Sequence, residues 1–176
     1  PDLPPHATMN EDGLLTPPHL AVHAVGLGGE EIIAITGTGQ PMTPRGQHEL
    51  AEAILEMAKS GNSEMLLVLA GLSADPGDEG VHFTCADLKV RESLRESGVI
   101  ISSEQPAGGM LGLAGLLVSL APMYDVPSAA CMSETIGTSV DIQAADRLAK
   151  RISIDFSLSL DLPIDNTSDT AARLFA

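Results

Sequence analysis

Apolar and polar positions along the chain alternate between short β-like runs and helix-like stripes. The first two runs, joined by glycines between Gly26 and Gly29, predict a β-hairpin. The apolar run at 65–70 is continuous, which is typical of a central strand covered on both faces. Strands are therefore predicted at residues 20–25, 31–36, 65–70, 81–85, 99–102 and 128–133.

Helix start signals separate these strands. Thr43-Pro44 opens a helix that Gly61 ends, and Asp87 caps a second helix at 88–97. A Gly-rich helix is predicted at about 108–123, and Asp141 caps the last long helix. Residues 152–162 alternate apolar and polar positions, which favours a strand, but they also continue the helical stripe. The residue pattern alone leaves this segment open.

The alternation of strands with helices predicts an α/β domain with a mostly parallel sheet. Residues 1–162 are expected to form this single domain. Its first 19 residues contain five prolines and predict an extended arm. Residues 163–176 are expected to form a C-terminal tail, since residues 164–173 have the polar composition of a linker.

Composition and charge exclude several partners. The 176 residues are 44% hydrophobic but only 2% aromatic, so the core is expected to be aliphatic. Nine basic against 24 acidic residues give a net charge of −15. That balance argues against a nucleic-acid partner and against an anionic membrane surface, because both require a basic footprint.

Cysteine usage and the apolar runs indicate a cytoplasmic protein. Cys85 and Cys131 fit no metal-binding spacing and are expected to be buried free thiols in a reducing compartment. The longest apolar stretch, residues 110–121, is shorter than the roughly 20 residues of a membrane span. The first residues lack the basic-then-apolar pattern of a signal peptide, so none is expected there.

Sequence motifs for catalysis are weak. The chain has no GxSxG, Walker or HExxH motif. Residues 36–40 contain a GxG after a strand but lack the rest of a nucleotide-binding fingerprint. His19 and His23 would lie roughly 13 Å apart along a strand, too far to share a metal. We therefore expect no metal and no cofactor.

Two places have the residue types of a ligand site. Gly108 and Gly109 open a helix, where free N–H groups bind anions, although glycines at this spacing also serve close packing. Glu134 and Thr135 follow a predicted strand, where α/β sheets bind ligands. The alternative is a hydrogen-bonding corner in which Glu134 accepts backbone N–H groups. The candidate ligand cleft is thus Gly108, Gly109, Glu134 and Thr135.

The helix predicted at 108–123 is apolar around most of its circumference. One sheet face would not cover all of these side chains, which predicts a homo-oligomer. Gly112 and Gly115 share a face of this helix and are predicted to be buried.

Four motifs in order resemble the proteasome-assembly-chaperone family, type two. They are the run from Ile35 to Leu50, the Gly-rich run from Gly108 to Leu117, Tyr124-Asp-Val-Pro127 followed by Met132-Ser-Glu-Thr135, and Val140-Asp-Ile-Gln-Ala-Ala145. The resemblance covers residues 3–165. It implies a three-layer α/β/α sandwich, broadly like nucleoside phosphorylases, and a helix at 141–158. The first strand–loop–helix unit of the family precedes the Pro-rich segment and is expected to be absent from this chain.

The resemblance also implies oligomers and, in archaeal relatives, a chaperone-like partner of the proteasome core particle. Some of those relatives end in a hydrophobic–Tyr–any tripeptide that docks between proteasome α-subunits. Here the end is Leu174-Phe175-Ala176, which keeps the ring and lacks the hydroxyl. The alternative for this end is packing on its own domain.

The leading hypothesis is a non-enzymatic oligomeric protein that binds proteasome core-particle subunits through Leu174, Phe175 and Ala176. The alternative is a small-molecule binding protein or enzyme of phosphorylase-like fold with a cleft at the strand ends. A third hypothesis is a purely structural homo-oligomer.

Overall fold

The computed structural model describes residues 2–27, 29–37, 39–101, 110, 112–137, 140–158 and 160. Its elements, in chain order, are β1 (Thr8–Met9), β2 (Leu15–Thr16), β3 (Leu20–Leu27), β4 (Glu30–Gly37), α1 (Pro44–Ser60), β5 (Leu66–Ser73), β6 (Val81–Thr84), α2 (Leu88–Glu96), α3 (Gly112–Leu120), a 3-10 turn (Ala121–Tyr124), β7 (Ser128–Thr135) and α4 (Ile142–Asp155).

Strand β7 lies at the centre of a three-stranded sheet with the order β5-β7-β6. β5 runs parallel to it, from Leu66 opposite Ser128 to Ser73 opposite Thr135. β6 runs antiparallel, and Phe83 lies opposite Cys131. The strand predicted at 65–70 is confirmed as β5. Its predicted position at the centre of the sheet is wrong, because β5 is an edge strand of the sheet that the described residues form. The strand at 128–135 takes that place, and its first six residues are buried.

Helices pack on both faces of this sheet. The alternation of β7 side chains divides the core, because Ala130 and Met132 join one apolar cluster whereas Ala129 and Cys131 join the other. α1 and α3 cover the first cluster, and α2 and α4 cover the second. The mixed α/β class is confirmed. A three-layer sandwich with a mostly parallel sheet is not, since the sheets are small and partly antiparallel.

The predicted helix starts are confirmed by their caps. The Thr43 hydroxyl accepts the Gly46 N–H at 3.0 Å, and Pro44 occupies the first turn of α1. Asp87 accepts the N–H groups of Lys89 and Val90 at the start of α2. Each cap satisfies donors that a helix leaves without intrahelical partners.

The segment that the pattern left open is helical over residues 152–155, and the helix implied at 141–158 ends there. α4 extends to Asp155, and Leu148 and Ile152 are buried in the cluster around Phe83. The strand-like alternation is not followed, because the apolar Ile154 is 76% exposed whereas the Asp155 side chain is only 7% exposed and accepts a hydrogen bond from Arg151 at 2.6 Å. Val99 and Ile101, by contrast, are buried and Ile100 between them is exposed, but the strand predicted at 99–102 is wrong for residues 99–101, which form no strand.

The hairpin is confirmed as β3 and β4, paired from Leu20 opposite Gly37 to Leu27 opposite Glu30. The predicted helix at 108–123 is present as α3 and the 3-10 turn, while Gly108 and Gly109 lie outside the described residues. Gly112 and Gly115 are half-buried, not buried. In the described part of the chain, no helix is long and apolar enough to cross a membrane.

Candidate functional site

Glu134, near the end of β7, forms a polar cluster with His82 of β6 and with Gly80, which directly precedes that strand. We call Gly80, His82 and Glu134 the Glu134 corner. The Gly80 N–H donates to Glu134 Oε2 at 2.5 Å, and His82 Nε2 lies 2.9 Å from Glu134 Oε1. An ionised carboxylate has only acceptors, so Nε2 is the protonated, donating nitrogen of His82. Both carboxylate oxygens are therefore bound within the protein.

Strand register brings these residues together. The main-chain N–H of Glu134 donates to the Gly80 carbonyl at 2.9 Å, which places the two residues side by side at the end of the β6–β7 ladder. His82 lies opposite Met132 and so shares a face with Glu134. A Cβ on Gly80 would lie 2.7 Å from both Glu134 Oε2 and His82 Nε2, so a side chain at this position would displace both groups from their hydrogen bond.

The electrostatics of the corner keep Glu134 anionic. The His82 hydrogen bond, followed by the Gly80 N–H, holds the pKa of Glu134 below its ordinary value. Arg147 of α4 lowers it further and donates from Nη2 to the Glu134 carbonyl at 2.8 Å. A general acid at neutral pH needs a raised pKa. Glu134 is instead suited to joining β6, β7 and α4.

Thr135 joins the same strand end to α4. Its hydroxyl donates to Asp141 Oδ2 at 2.8 Å, while Asp141 Oδ1 accepts the Ala144 N–H at 2.9 Å. The Ala144 N–H, followed by the Thr135 hydroxyl, lowers the pKa of Asp141. A Cβ on Gly71 would lie 2.9 Å from Thr135 Cγ2, so a side chain there would displace Thr135. The Thr135 hydroxyl thus supports the helix cap.

A cleft of about 510 Å³ lies elsewhere on the sheet, between the start of α1, α3 and the end of β6. His48, Thr84 and Cys85 are among the side chains that line it, whereas Glu134 and Thr135 do not. Burial raises the pKa of the Cys85 thiol, which donates to the Asp87 carbonyl at 3.6 Å. Among the residues that the structure describes, no three His, Cys, Asp or Glu side chains are placed to hold a metal ion.

The predicted site residues have different outcomes. Glu134 and Thr135 are adjacent and hydrogen-bonded as described above. Gly108 and Gly109 lie outside the described residues, as do Leu174, Phe175 and Ala176. The ligand cleft and the docking tail therefore stay predictions.

Sequence reasoning missed Gly80, His82 and Arg147. His82 had a detectable signal, because a polar side chain within the apolar run VHF needs a buried partner. Gly80 and Arg147 had no detectable sequence signal. The role of Gly80 depends on the register between β6 and β7, and the role of Arg147 depends on where α4 packs.

The protein has a mixed α/β fold. In this fold, Glu134 near the end of β7 connects the sheet with α4 through its hydrogen bonds. A sequence model of the PAC2 family matches residues 1–173. The chain belongs to the PAC2 family.

The comparison with curated proteins gives one archaeal relative. The uncharacterized protein MJ1210 of Methanocaldococcus jannaschii is 25% identical over 159 residues, which are 85% of this chain. The match spans 58% of that protein, so this chain covers little more than half the length of its relative.

Solved structures share the fold. Pyrococcus furiosus PbaA, an archaeal homolog of proteasome-assembly chaperone, has a TM-score of 0.74 at 22% identity, covering 98% of this chain and 74% of PbaA. Pyrococcus furiosus PbaB, an archaeal proteasome activator, has a TM-score of 0.78 at 16% identity, covering 97% of this chain and 75% of PbaB. A PAC2 family protein from Streptomyces avermitilis has a TM-score of 0.70 at 18% identity, covering 97% of this chain and 72% of that protein.

Proposed function

We propose that this chain is a non-enzymatic, oligomeric cytoplasmic protein that binds subunits of the proteasome core particle. Its membership of the PAC2 family over residues 1–173 is the observation that carries the proposal. The fold shared with an archaeal proteasome-assembly-chaperone homolog and with a proteasome activator supports it.

The chemistry of the strand end supports a role in binding over a role in catalysis. Glu134 has a lowered pKa, and both its oxygens accept hydrogen bonds from the protein. Thr135 donates its hydroxyl to the cap of α4. A substrate at this strand end would have to displace bonds that hold the fold together.

The proposed contact is the C-terminal tripeptide Leu174-Phe175-Ala176. An aromatic ring suits an apolar slot of the partner, because the ring loses water contact on binding. A contact of only three residues also keeps most of the net charge of −15 away from the partner.

Surface plasmon resonance with immobilised core particle from the same organism tests the proposal. We expect the 176-residue chain to bind and Phe175→Ala to lose most binding without a change in melting temperature. Phe175→Tyr restores a hydroxyl and should strengthen binding by up to about fivefold, the equivalent of one net hydrogen bond. Thr167→Ala, also in the tail, is the matched control and should bind normally.

The outcomes separate the two parts of the proposal. A wild-type chain that fails to bind the core particle contradicts the proposed function. Binding that survives Phe175→Ala contradicts only the role of the tail. A melting temperature lowered by Phe175→Ala with binding intact would show that the ring packs on its own domain.

The cleft of about 510 Å³ favours a second candidate, a small-molecule binding protein. Nucleosides with inorganic phosphate are the probes that a phosphorylase-like fold suggests. A ligand-dependent rise in melting temperature that Ser119→Trp abolishes would support this candidate, because Ser119 is exposed and lines the cleft. Melting temperatures that do not respond to any of these probes would contradict it.

A further inference from the structure

The outer side of α1 and the 3-10 turn present apolar and acidic side chains together. Tyr124 of the turn is half-buried and packs against the α1–α3 cluster. Met123, directly before it, is 78% exposed, and Met57 on α1 is 40% exposed. Methionine suits binding surfaces because its unbranched, polarisable side chain adapts to a partner. We call the following residues the α1 surface: Glu52, Glu56, Met57, Met123 and Tyr124.

Contacts between α1 and the turn hold this surface together. Lys59 Nζ, near the end of α1, lies 3.3 Å from Oδ2 of Asp125, the residue directly after the turn. Burial, followed by the charges of Glu52 and Glu56, raises the pKa of the Tyr124 hydroxyl. Both carboxylates are therefore close enough to Tyr124 to act on it, and the three side chains belong to one surface.

The two glutamates of the α1 surface repel each other. Glu52 and Glu56 are exposed and four residues apart, so they are neighbours on the helix, where like charges are destabilising. The arginine and the lysine of α1 are engaged elsewhere, since Arg45 pairs with Glu49 at 2.7 Å and Lys59 pairs beyond the turn. A positive charge supplied by another molecule would relieve this repulsion.

We propose that the α1 surface docks a segment of a partner protein that presents lysine or arginine beside an apolar side chain. Its cations pair with Glu52 and Glu56, and its apolar side chain contacts Met123 and the ring of Tyr124, which also attracts a cation over its face. Charge complementarity selects this partner. The carboxylates repel the phosphates of nucleic acids and lipids, and they repel a second copy of a chain with a net charge of −15.

This inference rests on the proposed function and deepens it. It adds to the C-terminal tripeptide a second surface for a core-particle subunit, on the folded body of the chain. The tripeptide would supply an aromatic anchor, whereas the α1 surface would select a partner by its charge.

Fluorescence anisotropy with a labelled peptide of alternating lysine and leucine tests the α1 surface by itself. The wild type should bind, and a Glu52→Gln, Glu56→Gln double variant should bind about threefold to tenfold more weakly, as expected for two exposed ion pairs. Glu92→Gln with Glu96→Gln is the matched control. These two glutamates are also exposed and four residues apart, but their helix α2 carries three basic residues of its own.

The apolar contact is tested with the same peptide. Met123→Ser should weaken binding, whereas Met42→Ser, a control at a side chain that is 72% exposed, should not. A peptide of alternating lysine and serine has the same charge and should bind the wild type more weakly than the leucine peptide. Circular dichroism confirms that each variant folds. Equal binding by Met123→Ser and Met42→Ser would overturn the apolar contact.

Equal losses in the α1 and α2 double variants would show attraction to negative charge in general and would overturn the inference. A sedimentation mass that falls in the α1 double variant would assign the surface to a second copy and would also overturn it. Core-particle binding is measured separately on the same samples. If the peptide test fails while the wild type binds the core particle, only this inference is overturned. If the peptide test succeeds while the wild type fails to bind, only the proposed function is overturned, and the α1 surface docks another basic partner.

Discussion

Glu134 links three elements through one residue. Its carboxylate accepts hydrogen bonds from Gly80 and His82, and its carbonyl accepts one from Arg147 of α4. The pKa of Glu134 is lowered and both its carboxylate oxygens accept hydrogen bonds from the protein, so the ionised side chain stabilises the fold. The stability of the protein should therefore depend on pH.

Glu134 should stabilise the fold at neutral pH and cease to do so in acid. Its pKa is lower in the folded state than the roughly 4.3 of an unfolded glutamate, so its contribution is complete above that pH and is lost as pH falls through the lowered pKa. We expect the difference in unfolding free energy between wild type and Glu134→Gln to be largest near pH 7 and to shrink below about pH 4.

Urea unfolding at pH 3, 4, 5 and 7 measures this difference. Glu92→Gln, on the exposed side of α2, is the matched control and should change stability little at any pH. A difference for Glu134→Gln that stays constant across the series would contradict a stabilising role for the ionised carboxylate.

The two cysteines should differ in reactivity. Cys131 is fully buried at the centre of β7, and burial raises its pKa to about 12, whereas Cys85 is half-buried at the cleft. The thiolate is the reactive form, so titration with a thiol reagent at pH 8 should detect one slow thiol in the native chain and two in denaturant. Cys85→Ser should leave none in the native chain, and a second native thiol would contradict the buried position of Cys131.

At the scale of elements, local sequence signals predict whether a segment is a helix or a strand better than they predict its position in the sheet. The caps at Thr43, Asp87 and Asp141 act within a few residues, and the structure confirms all three. The apolar run of β5 predicted a strand correctly. Its position in the sheet depends on pairing with the distant β7, which the run itself does not encode.

The Gly-rich helix shows the same limit. Gly112 and Gly115 were expected to be buried for one shared packing reason, but their constraints differ. Gly112 has φ +78°, a left-handed conformation that side chains disfavour. A Cβ on Gly115 would collide with the carbonyl oxygen of Met110.

Gly115→Ala should destabilise the protein by about 1–3 kcal/mol, because backbone atoms cannot move aside as a flexible side chain would. Gly26→Ala on β3 is the control, since nothing lies within 4 Å of its Cβ position. Chemical denaturation of both variants measures the difference. Equal stabilities for Gly115→Ala and the control would contradict the close approach to Met110.

At the scale of the molecule, the chain is strongly acidic. A net charge of −15 destabilises the compact state by self-repulsion, and salt screens that repulsion over a Debye length of about 10 Å at 0.1 M. We expect the melting temperature at pH 7 to rise by several degrees between 0.02 and roughly 0.2 M NaCl. Near pH 4.4, where the net charge approaches zero, the same salt should have little effect. An equal response at both pH values would exclude self-repulsion as the cause.

The place of β7 in the sheet has a consequence for folding during synthesis. β5 and β6 flank β7 without pairing with each other. Leu66 of β5 therefore cannot pair until Ser128 of β7 has been synthesised. The chain is made from its N-terminus, so β5 and β6 are synthesised before β7, and the described sheet cannot form until β7 has been made. Non-local pairing of this kind slows folding. The apolar β5 is therefore made well before β7 and stays without this sheet partner until β7 has emerged as well.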